Sequence, residues 1–360
     1  MTAPPTVIKQ ASGLDVVAAM PGRFGFTPAD SIVTAGLHPP RGRMGATIRV
    51  DRADCDSAGW RDFARAQAIR LHGCGARASF VIRYAPEGAE AVEKDRGFWR
   101  WSDAVDQCLP VIGCWNVVQD SYQELDPTTH RRVGPVLGPK ELQSTRGAAA
   151  TVMAGVAPKA SREDLARIDP APPAARKAAG AAWRRVLDQT LAMSADRLPA
   201  WRLAGLETWS LWLDRLVRSP DRPVEPSQLG RIAALIGDSH IRDAIMASAF
   251  KRRGDTPRLL ALGRYNGAIF DPASSPGVDQ DRVAAALSLL EDVAAHLPPR
   301  RRGQVYGLGA AWHWWSGNGA AAQEWAKAAE DCEDCPRLAG LILAVAGQGI
   351  FPAALERREA

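Results

Sequence analysis

Gly22-Arg23-Phe24-Gly25-Phe26-Thr27-Pro28-Ala29-Asp30-Ser31, followed at once by Ile32-Val33-Thr34-Ala35-Gly36-Leu37, is where backbone punctuation, polar side chains and a β signal converge most tightly. The first part reads as a turn. Pro28 presets its backbone, and Asp30 and Ser31 have side chains suited to bonding nearby backbone N–H groups. The second part reads as a short buried strand. Upstream, Leu14–Met20 reads as a short helix ended by Pro21-Gly22, because proline cannot continue it and glycine supplies a positive-φ exit. Downstream, Ala46–Val50 is a second strand candidate. The connection His38-Pro39-Pro40-Arg41-Gly42-Arg43 fits a hairpin loop.

Further along, Ala58–His72 places Trp60, Phe63, Ala64, Ala68 and Leu71 at helical spacing, with Gly73 as the stop. Ala78–Tyr84 is the best strand, being β-branched and aromatic. A helix around Ala91–Gln107 and strands around Val111–Val118 and Ser121–Leu125 follow. Strands, helix, strand, helix, strands is the order of an α/β domain with a mixed sheet. Gly134–Gly138 reads as loop. Glu141–Ala157 and Ser161–Ile168 read as helices, the second opening on Ser161-Arg162-Glu163-Asp164 as a capping box. Asp169-Pro170-Ala171-Pro172-Pro173-Ala174 breaks the pattern. Beyond it only helical segments are found: Ala181–Met193, Pro199–Arg218, Pro226–Ile236, Asp238–Lys251, Arg258–Tyr265, Asp279–His296, Arg300–Ser316, Gly319–Glu330 and Pro336–Gly347. The expected organisation is an α/β domain over residues 1–168, a Pro-rich linker over 169–175 and an all-α domain over 176–360. Small and aromatic residues between Tyr306 and Pro336 give that domain a tetratricopeptide-like helical hairpin at its end.

Composition excludes several classes. Of 360 residues, 46% are apolar and 24% charged, which is ordinary for a globular protein. No stretch approaches the ~20 apolar residues needed to span a bilayer. The polar start Met1–Thr6 and the run Leu14–Met20, interrupted by Asp15, make a poor secretory signal, so a cytoplasmic protein with no membrane partner is expected. The six cysteines are then expected to be reduced. The net charge of +5 is spread along the chain, and the runs Lys251–Arg253 and Arg300–Arg302 read as solvated helix ends. Nucleic acid is therefore the weakest of the partner readings.

Three blocks resemble the DUF4192 domain family, an uncharacterised group of actinobacterial proteins. Gly25–Val33 with Gly36-Leu37 is similar to the family's Gly-Phe-x-Pro-x-Asp-Ser-hydrophobic block. Arg49-Val50-Asp51 is similar to its Arg-x-Asp-Leu-Pro. Ala311–Ala320, with Arg337-Leu338-Ala339 and Gly349-Ile350-Phe351-Pro352, is similar to its C-terminal helical block. The chain departs from the family pattern at Arg52-Ala53, where Leu-Pro is usual. It also lacks the paired cysteines many members carry downstream of the aromatic cluster in Cys114–Tyr122. The resemblance implies no activity.

Asp30, Ser31, Arg49 and Asp51 form the candidate polar cluster. A hairpin pairing Ile32–Leu37 with Ala46–Val50 brings the start of one strand beside the end of the other. Arg49 could clamp a carboxylate or phosphate bidentately, with Asp30 or Asp51 as base. Equally, Asp30 and Ser31 could cap the turn while Arg49 pairs with an aspartate. A Ser–Asp pair without a positioned His is not a triad. Cys332-Glu333-Asp334-Cys335 is a lone C-x-x-C without the second pair that zinc needs, and reads as free thiols in a helix–helix loop. No phosphate loop, H-E-x-x-H or G-x-S-x-G motif is present. The expectation is a protein-interaction or scaffold protein acting through its helical domain, without catalysis, cofactor or metal. The alternative is an enzyme or small-ligand binder using Asp30, Ser31, Arg49 and Asp51.

Overall fold

The computed structural model describes residues 12–352, apart from 40–41, 88–90, 154, 156, 221, 266–267, 272, 274–276 and 351. Met1–Thr6, the middle of the expected hairpin loop at Pro40-Arg41, Ala154 and Val156 of the expected 141–157 helix, and Phe351 lie outside the described residues. The chain divides into two compact units, one ending at Asp164 and the other beginning at Leu165.

The first unit opens on helix α1 (Gly13–Phe24), capped by Ser12. Asp15 closes the capping box by accepting from the Ser12 N–H at 3.0 Å. The helix passes through Pro21 instead of ending there. Proline removes one hydrogen bond inside the last turn, and the stop is Gly25, at φ 79°, whose N–H donates to the Pro21 carbonyl.

Strands β1 (Ser31–His38) and β2 (Arg43–Asp51) form the expected hairpin. Then come α2 (Trp60–Gly73), β3 (Ala78–Ala85), α3 (Arg96–Asp106), β4 (Val111–Val118), β5 (Ser121–Leu125), β6 (Arg132–Leu137), α4 (Pro139–Gln143) and α5 (Arg146–Met153). The sheet order is β2-β1-β3-β4-β5-β6. Only β3 and β4 are parallel among these pairs, joined by the α3 crossover, so the sheet is mixed.

Every residue of β1 is buried, as expected for a strand with neighbours on both edges and layers on both faces. On one face, a side chain at Gly13 of α1 would collide with Phe80 and the Trp115 indole, so α1 lies directly on the sheet there. On the other, Trp101 of α3 donates its indole N–H to Thr34 Oγ1 at 3.1 Å, and Ser102 meets Cys114.

Three local expectations are corrected. β6 occupies the stretch read as loop, because an edge strand tolerates Gly134 and Pro135 on its open side. The expected 141–157 helix is two helices, broken where Thr145 Oγ1 accepts from the Ala148 N–H and starts α5 anew. After Ser161 the chain makes only a 3-10 turn, Glu163–Ala166, although Asp164 does accept from Ser161.

The second unit is all-helical: α6 (Pro173–Leu191), α7 (Leu198–Arg218), α8 (Pro226–Ile236), α9 (Ser239–Ser248), α10 (Thr256–Ala261), α11 (Gln280–His296), α12 (Gly303–Ser316), α13 (Gly319–Glu330) and α14 (Arg337–Gly347). Prolines sit in the first turns of α6, α7, α8 and α10, where the missing N–H costs nothing. Asp238 and Asp279 cap α9 and α11. The proline-rich stretch belongs to this unit: Ala171 N–H donates to the Ala295 carbonyl at 2.9 Å. α12 and α13 make a helical hairpin, turned by Gly317 at φ 94° and capped by Asn318. Tryptophans fill its core. Trp209 stacks on Trp312 at 5.7 Å, and Trp325 donates to the Leu165 carbonyl.

Candidate functional site

The strand register decides which side chains meet. Across the sheet, Asp51, Ser31, Tyr84, Val117 and Tyr122 form one row. The next row on the same face holds Arg49, Val33, Ile82, Trp115 and Glu124. Ser31, Arg49 and Asp51 are therefore brought together at one end of the sheet, on the face that α1 covers. Asp30 is not part of the group. It stands exposed at φ 39°, turning the chain into β1, and its carbonyl accepts the Arg52 N–H at 3.1 Å.

Arg49 is the anchor. Its Nη2 lies 2.7 Å from Asp51 Oδ1 and reaches the Ala29 carbonyl at 3.4 Å. Its guanidinium sits over the Phe26 ring, 5.8 Å from the centroid. Phe26 is fixed in turn by backbone pairing of residues 25–27 with Lys159: Thr27 N–H donates to the Lys159 carbonyl, and Lys159 N–H to Gly25. The same segment brings Arg162 within 3.6 Å of Asp51 Oδ2. One half-exposed carboxylate thus faces two guanidinium groups.

Polar atoms without partners concentrate here. Ser31 Oγ, Tyr84 Oη, Trp115 Nε1 and Arg49 Nε are shielded from water and make no hydrogen bond. Ser31, Tyr84 and Trp115 are 0%, 4% and 3% exposed. Interiors rarely leave such atoms unsatisfied, and each costs about 1–3 kcal/mol. Burial pushes the Tyr84 phenol well above its ordinary value, with Tyr122 adding to the effect, so Tyr84 remains a neutral donor.

The opposite face carries a polar cluster that the sequence reading did not single out. Arg83, 1% exposed, donates from Nε to Asp95 Oδ2 at 2.6 Å and from Nη1 to Asn116 Oδ1 at 2.8 Å. Asp95 also caps α3 through Phe98 N–H and meets Arg52 at 3.3 Å. Its signal in sequence was an arginine inside the most strand-like stretch of the chain. Arg83, Asp95, Asn116 and Arg52 are tied to one another, so the cluster reads as a structural clasp.

A cleft of about 250 Å³ lies beside α3, lined by Ser102, Asp103, Asp106, Val111, Pro127, Thr128 and His130. His130 stacks on Trp99 at 4.1 Å and comes 3.5 Å from Asp103. Its carboxylates are partly committed already: Asp106 Oδ1 accepts the Val111 N–H.

Cys332 and Cys335 are free thiols between α13 and α14, and burial raises both above the usual thiol value. Among the described residues, no three His, Cys, Asp or Glu side chains group as a metal site. Also among them, no helix is long and apolar enough to cross a membrane.

No curated protein and no solved structure matches the chain. A family model, "Domain of unknown function (DUF4192)", matches residues 14–263. That span holds the Gly25–Leu37 and Arg49–Asp51 blocks, whereas the Ala311–Ala320 block lies beyond it. With more than half of its length matched, the chain belongs to the DUF4192 family.

Proposed function

We propose that the α/β unit is a small-ligand-binding module whose site is the end of the sheet formed by Ser31, Arg49, Asp51 and Tyr84. The observation that carries this reading is the pair of buried hydroxyls, Ser31 and Tyr84, on adjacent strands and without partners. Left unfilled, such atoms only destabilise the unit. Binding without catalysis fits the same residues. The Ser31 hydroxyl makes no hydrogen bond to a base that would take its proton, as an activated nucleophile requires. The test is a thermal-shift screen of small metabolites on the full chain, with Ser31→Ala alongside. A compound should stabilise the native protein and lose that effect in the variant. A screen without a single Ser31-dependent hit removes the reading.

A second reading, binding of a partner protein by the helical unit, is supported by large apolar side chains left in water. Leu191, Leu211 and Leu341 are 86%, 71% and 64% exposed. Aspartate at Leu191 and Leu211 should abolish co-purification of any specific partner, and unchanged capture counts against it. Both readings place the protein in the cytoplasm, a setting supported by free thiols at all six cysteines.

A further inference from the structure

The unpartnered atoms share one chemical character. Trp115 Nε1–H and Arg49 Nε–H can only donate, and the Ser31 and Tyr84 hydroxyls each have a proton free to give. They lie in two neighbouring rows on one face of the sheet. At the rim, Arg49 and Arg162 both face the Asp51 carboxylate. We propose that this end of the sheet binds an oxyanion, the carboxylate or phosphate group of a small molecule. Ser31 and Tyr84 donate to its oxygens, and Arg49 supplies the charge.

This rests on the ligand-binding reading and narrows it to one class. Donors without acceptors call for a ligand rich in acceptors. A cation or a pure donor would leave the Arg49 Nε–H without an acceptor and add repulsion from Arg49. Asp51 is the group an incoming anion must compete with, because its Oδ1 already occupies Arg49 Nη2 at 2.7 Å. Asp51 is 50% exposed, so the rim can be altered without disturbing the buried rows.

The test is calorimetric titration and thermal shift of the full chain. One set of probes is inorganic phosphate, pyrophosphate, malonate and citrate against chloride at matched ionic strength. The other is a set of neutral polyols and primary amines. Native protein should bind an oxyanion, and the phosphate and carboxylate arms identify which group it takes. Tyr84→Phe should weaken that binding about 10-fold or more, since it deletes a hydrogen bond to a charged acceptor. Asp51→Asn should tighten it several-fold by removing the competing carboxylate, a gain that a purely structural Asp51 would not produce. Circular dichroism confirms that each variant is folded, and Asp51→Asn, at the rim, keeps the question answerable if Tyr84→Phe is not. Oxyanions acting no better than chloride, or binding that is indifferent to Tyr84→Phe and Asp51→Asn, overturn the proposal. A neutral compound whose binding needs Tyr84 overturns the oxyanion class but keeps the ligand-binding reading. Silence from both probe sets removes both.

Discussion

Replacing Asp95 should cost the α/β unit most of its stability, and the structure supplies the parts of that sum. Asp95 and Arg83 have side chains 2% and 1% exposed, with Nε 2.6 Å from Oδ2. Removing one partner of such a pair strands a buried charge and costs about 3–5 kcal/mol. Asp95 also accepts the Phe98 N–H at the start of α3, and losing that cap adds about 1 kcal/mol. The Arg52 contact is longer and part-exposed, so it adds under about 1 kcal/mol. Asp95→Ala should therefore remove about 4–6 kcal/mol, against the ~5–15 kcal/mol that usually holds a domain together. Asp95→Asn keeps a good cap and an acceptor, and should lose less. Arg83→Met with Asp95→Leu removes both charges together and should be far milder than Asp95→Ala. A chain of two units has no single unfolding free energy, so the assay is native-state hydrogen exchange read on peptides from β3 and β4. Protection in these strands should collapse for Asp95→Ala and largely return in the double variant. A loss below ~1 kcal/mol, or a double variant as weak as the sum of its singles, refutes the clasp.

Other expectations follow from equally local features. A Cβ at Gly230 of α8 would fall inside contact distance of the Ala179 carbonyl of α6, which is backbone and cannot swing away. Gly230→Ala should cost about 1–3 kcal/mol or more, whereas Gly340→Ala, with open space around it on α14, should be neutral or stabilising in the same melt. Burial lowers the pKa of His313 from 6.5 to about 4, so the native state keeps it neutral where an unfolded chain would protonate it. Its contribution is whole above pH 6.5 and is lost as pH falls towards 4, by at most about 3 kcal/mol. His313→Leu should flatten the decline in α12 exchange protection between pH 7 and 4.5. Brief alkylation at pH 8 should mark Cys335, which is exposed, well before Cys55 and Cys114, whose buried thiols are pushed up to about 12. Mass mapping that finds Cys55 or Cys114 labelled first contradicts the burial assigned to them.

What the sequence made legible was what is encoded locally. The β1–β2 hairpin could be read because two strand-like runs flank a short connection rich in proline and glycine, and pairing them puts Ser31 opposite Asp51. α8 and α13 could be bounded because prolines and glycines stand at their ends. Tyr84 could not be placed beside Ser31. It arrives there through the β1–β3 pairing, which skips over β2 and α2 and has no local signature. β6 was hidden because Gly134 and Pro135 carry a loop signal that an edge strand can absorb. The start of α6 was hidden for the converse reason: Pro173 reads as a breaker, yet in the first turn of a helix it is at home.

The two faces at this end of the sheet also argue with each other. Successive residues of β3, Arg83 and Tyr84, point to opposite faces, and both are essentially buried. On the Arg83 side, the sequence supplies Asp95, Asn116 and an additional arginine, and the hydrogen bonds of the guanidinium close within the protein. On the Tyr84 side, Ser31 is the cross-strand neighbour and Arg49 stands in the next row, and the carboxylate of Asp51 is held at the rim between Arg49 and Arg162. A buried arginine held by Asp95 and Asn116 thus sits one residue from a tyrosine whose hydroxyl makes no hydrogen bond. An aspartate or asparagine reaching Tyr84 would have closed that face as Asp95 closes the other. That difference is why Asp51→Asn and Asp95→Asn should behave differently. Neutralising the first should strengthen the hold on an anion, and neutralising the second should only weaken the fold.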